Sequence, residues 1–346
     1  MSASRSGGNP AAVGVVGATG HTGRFVVAEL LRRGIAPIAI ARDAAALAAL
    51  EFGEHEVERR RASIDDAKSL DRALDGAQAV IHGAGPFLDT ADAVVDAALR
   101  AGIHYADLTA EQASARATLD RYDAAAREAG IAVVPAMGFY GGFADLLATA
   151  ALGDWDDADR IDIMIGLDSW HPTQGTRATG ARNTAQRVVV AEGRLAPVQS
   201  PRAEREWRFG DPLGQQTVVE TPFSEIILLA RHVKAEEVRT WLSSVALSDI
   251  HNPATPAPKA ADGTGRSAQR FAVDAVARRE GKIRRASARG RDIYAFSAPL
   301  VCEAVERLLD GRFTSAGAQP AGAIFAARDF LAALTPVALT LEMAEA

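Results

Sequence analysis

Gly17, Gly20 and Gly23 are the residues of this chain with the clearest chemical purpose. The apolar run Val13-Gly14-Val15-Val16 leads into them, and a helix-like segment at 24–33 follows and stops at Gly34. Strand, glycine-rich turn and helix start, in that order, make a dinucleotide site. The first glycine allows the tight turn, the second lets the backbone approach a pyrophosphate, and the third lets helix and strand pack closely. The phosphates then lie at a helix N-terminus, where unpaired N–H groups and the helix dipole favour an anion. The candidate cofactor contacts in this turn are Gly17, Thr19, Gly20, His21, Thr22 and Gly23.

The next strand candidate, 38–41, runs into Arg42 and Asp43. An acidic residue at such a strand end holds the ribose 2′-OH of NAD, whereas arginine suits a 2′-phosphate through bidentate, charge-assisted hydrogen bonds. Arg42 therefore points to NADP(H). Arg24 is a second candidate phosphate partner, with solvated surface charge as the alternative for both arginines, and Asp43 caps the helix that follows.

Ligands of a doubly wound sheet sit at the carboxyl ends of its strands. Three more segments fall there. In His82-Gly83-Ala84-Gly85-Pro86-Phe87, small residues let a ring or phosphate come close, and Pro86 and Phe87 can wall a nicotinamide; a plain turn into a helix at Thr90 is the alternative. In His104-Tyr105-Ala106-Asp107-Leu108-Thr109-Ala110-Glu111, strand alternation puts Tyr105 and Asp107 on one face, where either can orient substrate. Thr109 and Glu111 read as caps of the next helix. The stretch Met137-Gly138-Phe139-Tyr140-Gly141-Gly142-Phe143 reads as a hinge and pocket wall, with Gly138 a cofactor contact. Further along, the polar segment from Trp170 and His171 to Arg177, Arg182 and Asn183 is suited to an anionic or carbonyl group. The candidate proton donors are Tyr140, Tyr105 and His171, in that order. No tyrosine stands four residues before a lysine, and there is no Gly-x-Ser-x-Gly elbow and no His-Glu-x-x-His helix, so no metal site is expected.

Taken together, these segments resemble the saccharopine dehydrogenase-like NADP-binding oxidoreductases, which include saccharopine reductase and trans-acting enoyl reductases. The resemblance rests on the glycine turn, Ala41-Arg42, Ala84-Gly85-Pro86-Phe87, the His104–Glu111 run quoted above and Met137-Gly138-Phe139. It covers residues 11–150 well and the rest loosely, although 294–334 looks similar too. Ala110 stands where the family often has glycine, and Tyr140-Gly141-Gly142-Phe143 replaces a more polar run, which implies a less polar pocket. The resemblance implies an NADP fold with an inserted sheet domain and leaves the substrate open.

The elements that must position these residues follow from pattern and punctuation. Residues 11–135 alternate strand candidates (12–16, 38–41, 57–63, 79–82, 104–107, 132–136) with helix candidates (24–33, 44–51, 67–74, 90–101, 111–129). Gly34, Gly76, Gly102 and Gly130 fall at helix or turn ends. This is the rhythm of a Rossmann-type doubly wound parallel α/β sheet. After 145–152 the runs become strand-like: 161–167, 185–191, 204–209, 217–220, 226–229, and a hairpin of 270–279 with 282–294 turned at Glu280-Gly281. A helix is expected at 235–243 and a loop at 249–265. Helices return at 299–309 and 320–334. The expected organisation is a disordered 1–10, a dinucleotide-binding domain of 11–150 plus 296–346, and an inserted α+β domain of 151–295 for substrate or dimerisation, with the C-terminal helices returning to the first domain.

Composition is that of a globular domain pair: 346 residues, 48% hydrophobic, 24% charged, net charge −6. The mild acidity argues against nucleic acid or a membrane surface as partner, and no signal peptide or bilayer-spanning run is seen, so a cytoplasmic location is expected. The single cysteine, Cys302, excludes a disulfide framework and reads as core. The leading functional reading is an NADPH-dependent reductase of a C=N or C=C bond in a small, free or carrier-bound, metabolite, with a homodimer as candidate assembly. The alternatives are a non-catalytic NADP-binding regulatory protein and a redox-neutral isomerase or epimerase with bound cofactor.

Overall fold

The computed structural model describes residues 11–345; the expectation for 1–10 lies outside them. The first sheet draws on β1 (Ala12–Val16), β2 (Ala36–Ala41), β3 (Glu58–Arg61), β4 (Ala79–His82), β5 (His104–Asp107) and β6 (Ala132–Val134). Between them run α1 (His21–Arg32), α2 (Ala44–Ala48), α3 (Ala67–Leu74), α4 (Phe87–Ala101) and α5 (Gln112–Glu128). The sheet is parallel throughout, in the order β3-β2-β1-β4-β5-β6 with one short strand beyond β6. The order reverses between β1 and β4, which places a ligand crevice at their carboxyl ends. The central strands β1 and β4 are apolar and almost wholly buried because helices cover both faces. Gly34, Gly76, Gly102 and Gly130 all adopt positive φ at helix ends, as their placement predicts.

A turn at Phe139–Phe143, with Gly141 at φ 137°, leads through α6 (Ala144–Leu152) to the second sheet. That sheet is built from β7 (Asp157–Leu167), β8 (Val188–Ala191), β9 (Arg194–Pro197), β10 (Glu204–Arg208), β11 (Gln215–Glu220), β12 (Lys234–Ser243), β13 (Arg270–Arg279) and β14 (Lys282–Arg291). Helices α7 (Gln174–Arg182), α8 (Glu225–His232) and α9 (Ser244–His251) interrupt them. The chain then forms α10 (Ile293–Leu309), β15 (Gly317–Ala318), α11 (Ala321–Ile324), α12 (Ala327–Leu334) and β16 (Leu339–Glu345). The fold class is therefore as expected: a doubly wound parallel sheet carrying an inserted mixed sheet.

Five local readings are corrected. Residues 226–229 form the buried core of α8, not a strand; four consecutive apolar residues fit either state, and here both sheets' layers enclose the run. Residues 235–243 form the central strand β12, parallel to β7 and antiparallel to β11, with Val238, Thr240 and Leu242 buried. The β-branched and aromatic residues win over the helix-forming Ala-Glu-Glu start. The expected 320–334 helix is broken where Phe325 turns extended (φ −115°, ψ 150°). The polar segment after His171 is helical at α7, and the 249–265 loop begins only after α9 ends at His251.

The end of the chain divides between the layers. Helix α10 lies on α1, where Arg33 reaches Glu303 and Glu306, each at 2.7 Å, and Glu29 at 2.7 Å. Cys302 is buried on this helix. Residues 339–345, expected with the dinucleotide unit, instead extend the second sheet as β16 along β14.

A buried carboxylate ties the C-terminal segment in place. Asp145 on α6 accepts from the Gly322 N–H at 2.6 Å and meets His232 Nε2 at 2.7 Å. Burial draws the His232 pKa down, but the charge and hydrogen bond of Asp145 outweigh it and the net shift is upward. A raised histidine pKa gives stability that is fully present below the ordinary value of about 6.5 and is lost as pH rises through the folded value. Wild type should therefore exceed His232→Gln in urea midpoint most at about pH 6, with the gap shrinking by about pH 9. A gap that does not change with pH would show that the pair's charge contributes nothing.

Candidate nucleotide and substrate site

The glycine turn is shaped by close backbone approach. Gly17, at φ 87°, donates from its N–H to Ile40 O at 2.9 Å, and a Cβ there would stand 2.9 Å from the Ala84 nitrogen. This contact places the Gly83-Ala84-Gly85 loop of β4 against the β1 loop. Gly23 is closed in as well: a Cβ would lie 2.2 Å from Gly17 O. Gly20 differs. Its Cβ would meet only Gly17 O, at 3.2 Å, with open space otherwise. Gly20 is also the N-cap of α1 and offers no side-chain cap, so the first N–H groups of α1 face a cradle that suits a pyrophosphate.

Thr22 lines the cleft beyond this cradle. His21 stands edge-on between Phe25 and Tyr294, at 5.4 and 5.5 Å. Its Nε2 has no partner among the described residues, and burial lowers its pKa despite Asp292. Thr19 accepts from Arg24 Nε through its carbonyl at 3.3 Å.

At the end of β2, the Asp43 carboxylate caps α2, accepting from the Ala45 and Ala46 N–H groups at 2.9 and 3.1 Å. Both bonds go to Oδ1, so this oxygen is engaged at the helix start. Arg42 is exposed, and Arg61 of β3 is drawn beside it by a 3.0 Å bond from its Nε to Arg42 O. Two guanidinium-bearing residues thus flank this corner. Sequence reasoning missed Arg61 because only the β2–β3 register (Ala41 opposite Arg61) brings it there.

The cleft itself has a volume of about 240 Å³. Gly83, Gly85, Phe87 and Leu108 form its floor at the first sheet's edge, and Trp170, Thr176, Arg187 and Phe223 form the opposite wall. Ala84 and Pro86 serve the floor from behind, with the Thr90 hydroxyl 2.9 and 3.0 Å from their carbonyls. His82, which meets Thr90 Oγ1 at 2.9 Å, has its pKa pushed down to about 3 by burial and is a neutral strut. Gly138 is buried against the Leu108 backbone and does not line the cleft; Phe139 beside it does.

The three proton-donor candidates separate. Tyr140 lines the cleft, its ring stacked on Phe223 at 4.2 Å and tilted against Trp170 at 5.1 Å. Its hydroxyl has no protein partner among the described residues, and burial pushes its pKa well above the usual value. Tyr105 is a correction: it is fully buried in the core and donates to Asp107 Oδ2 at 2.9 Å, because that face of β5 turns inward. His171 is a correction too. It lines a neighbouring cavity of about 420 Å³ with Lys259 and Tyr294, outside the cleft.

Two acids lie near the cleft floor. Asp107 accepts from the Thr109 and Ala136 N–H groups at 2.9 and 2.8 Å, pinning both loops. Glu111 does not cap its own helix through its side chain. Its Oε2 accepts from the Phe87 N–H at 2.8 Å, at the start of α4, while Oε1 has no partner among the described residues. Tyr294, also missed, lines the cleft and accepts from Trp170 Nε1 at 2.9 Å and the Thr173 N–H at 3.3 Å.

Residues 17–121 match the family model for NAD(P)H-binding. The chain carries an NAD(P)H-binding domain. No curated protein sequence matches the chain. Among solved structures, apo saccharopine dehydrogenase (L-Glu forming) from Saccharomyces cerevisiae superimposes with a TM-score of 0.65 at 14% identity, over 96% of this chain and 100% of that one. The fold is thus that of saccharopine dehydrogenase. Triphenylmethane reductase from Citrobacter sp., complexed with NADP(H), matches at 21% identity over 43% of this chain and 56% of its own, with a TM-score of 0.28. UDP-glucose 4-epimerase from Thermus thermophilus matches at 20% identity over 28% and 36%, with a TM-score of 0.25. No helix among the described residues is long and apolar enough to cross a membrane.

Proposed function

We propose that the protein is an NADPH-dependent oxidoreductase that reduces a C=N or C=C bond of a small metabolite in the cleft between its two sheets. One observation carries this reading: the uncapped glycine turn at the switch point leads into an aromatic cleft that holds the unpartnered hydroxyl of Tyr140. The nucleotide-binding unit of this reading is 11–150 with α10, and 151–295 supplies the opposing wall.

When bound, NADPH supplies the hydride that adds to one end of the double bond, leaving NADP⁺. The chain does the rest. The N–H groups at the start of α1 bind the pyrophosphate, and Arg42 with Arg61 binds the 2′-phosphate. Phe87, Trp170 and Phe223 exclude water. The Tyr140 hydroxyl, which has no partner among the described residues, holds the proton for the other end of the bond.

The test is a titration of nicotinamide fluorescence with NADPH and NADH. Wild type should prefer NADPH. Arg42→Ala should weaken NADPH at least about tenfold while leaving NADH within about twofold, since one charge-assisted contact is removed from the 2′-phosphate alone. Equal loss for both nucleotides would remove Arg42 from this role. Consumption of NADPH on a panel of cyclic imines and enoyl compounds separates a reductase from a non-catalytic binder.

A further inference from the structure

The substrate side of the cleft holds a cation with no acid assigned to it. Arg187 has its guanidinium carbon 4.9 Å from the centre of the Phe223 ring and makes one hydrogen bond, from Nη1 to Pro222 O at 2.8 Å. It forms no ion pair with a carboxylate among the described residues. Other enclosed arginines do: Arg33 has Glu29, Glu303 and Glu306, and Arg307 has Glu303 and Asp329. The one acid that Arg187 senses, Glu225, makes no hydrogen bond to it: its Oε1 accepts from the Phe223 N–H at 2.9 Å and Thr240 Oγ1 at 2.6 Å, its Oε2 has no partner among the described residues, and burial pushes its pKa up toward the neutral form. A guanidinium cannot shed its charge, and a half-buried charge with no carboxylate in contact is costly. Most of its N–H fork therefore lacks an acceptor among the described residues.

The remaining lining sets the other half of the ligand. Among the described residues, Arg187 is the only lysine or arginine that lines the cleft, and Glu111 is the only acid. Phe87, Tyr140, Trp170, Phe223 and Ile250 supply flat and apolar surface. A ligand with several negatively charged groups would leave all but one of them unpaired in this enclosure, because Arg187 alone among the described lining residues carries a positive charge.

Resting on the reductase reading above, we infer that the substrate is a monocarboxylic acid with a flat, apolar body: its single carboxylate is gripped by Arg187 and its unsaturated body lies among Tyr140, Trp170 and Phe223. A planar carboxylate matches the guanidinium fork bidentately. The aromatic rings then hold the conjugated bond beside the Tyr140 hydroxyl. Arg187 is thus the residue that selects for charge, and the rings select for shape.

The probes are trans-cinnamate, its neutral amide cinnamamide, 2-oxoglutarate and phenyl phosphate, measured by calorimetry on the full chain with and without NADP⁺. Cinnamate should bind at least about 30-fold more tightly than cinnamamide, as expected for one buried charge-assisted pair, and more tightly than 2-oxoglutarate. Arg187→Gln should abolish the acid-over-amide preference, and Arg187→Lys should restore part of it. Both variants should keep the wild-type affinity for NADPH, which also reports that they fold. Equal binding of acid and amide by wild type would overturn the inference, whatever the variants do. So would tighter binding of 2-oxoglutarate, or of phenyl phosphate, than of cinnamate. Loss of NADPH binding by wild type would sink the reductase reading instead, and the comparison without nucleotide would still judge the acid site.

Discussion

Gly23→Ala should both destabilise the protein and abolish measurable nucleotide binding. The new Cβ would sit 2.2 Å from Gly17 O, 2.9 Å from Gly17 C and 3.0 Å from Ala18 Cα, all backbone atoms that no side-chain rotation can move. To accept it, α1 must lift from the β1 turn. Overpacking of this kind costs about 3 kcal/mol, and the displaced turn no longer presents its N–H groups. Gly20→Ala makes the opposite case. Its backbone (φ −70°, ψ 164°) suits alanine, and the Cβ finds only Gly17 O at 3.2 Å. Stability should stay within about 0.5 kcal/mol of wild type, while NADPH affinity falls about tenfold or more because the methyl group enters the space a pyrophosphate would approach. Urea melts and fluorescence titrations on the two variants separate packing from binding. A Gly20→Ala protein that binds as well as wild type would refute the cradle.

Asp107→Ala should cost about 4 kcal/mol in urea unfolding, since it strands several buried donors at once at roughly 1–3 kcal/mol each. The Thr109 and Ala136 N–H groups and the Tyr105 hydroxyl all direct their hydrogens to this carboxylate, which is completely buried. Asp107→Asn should cost only about 1 kcal/mol, because its amide oxygen can still accept from both N–H groups. The pH dependence has a definite sign. Burial pushes the Asp107 pKa up to about 6 against the lowering effect of its three donors. A carboxylate raised on folding contributes stability that is fully present below about pH 4 and is lost as pH rises through about 6. The Asn variant should therefore fall furthest below wild type in acid, and the difference should shift in its favour as pH rises through about 6. Equal melting of the Ala and Asn variants would show that the side chain does not anchor these loops.

The first sheet was legible because each of its signals is local. The strands at 12–16, 79–82 and 104–107 and the helix at 67–74 match to the residue, since glycines of positive φ bracket short buried runs. The second sheet was less so. The run Ile226-Ile227-Leu228-Leu229 has no period to read, and β12 begins with helix-forming residues that only its neighbours β7 and β11 override. In the site, Gly17 packs its backbone against Ala84 at the end of β1, and Thr22 and Tyr140 line the cleft. Tyr105 misled because a titratable side chain at a strand end can equally face the core, and here it serves Asp107. Arg187 carries no local mark. Its meaning comes from Phe223, which lies beyond β11 and reaches it only in the folded chain.

The last strand, β16, has a consequence for how the molecule can be taken apart. Among the described residues the chain passes between the sheets three times: from β6 to β7, from β14 back to β15, and from β15 out again to β16. Neither sheet is encoded by one uninterrupted stretch. A fragment of 151–295 would expose the β14 edge that β16 covers, and a fragment of 11–150 would lose both β15 and the α10 clamp on α1. The two halves are thus stitched rather than tethered, and they should unfold in a single cooperative step and resist excision as independent modules.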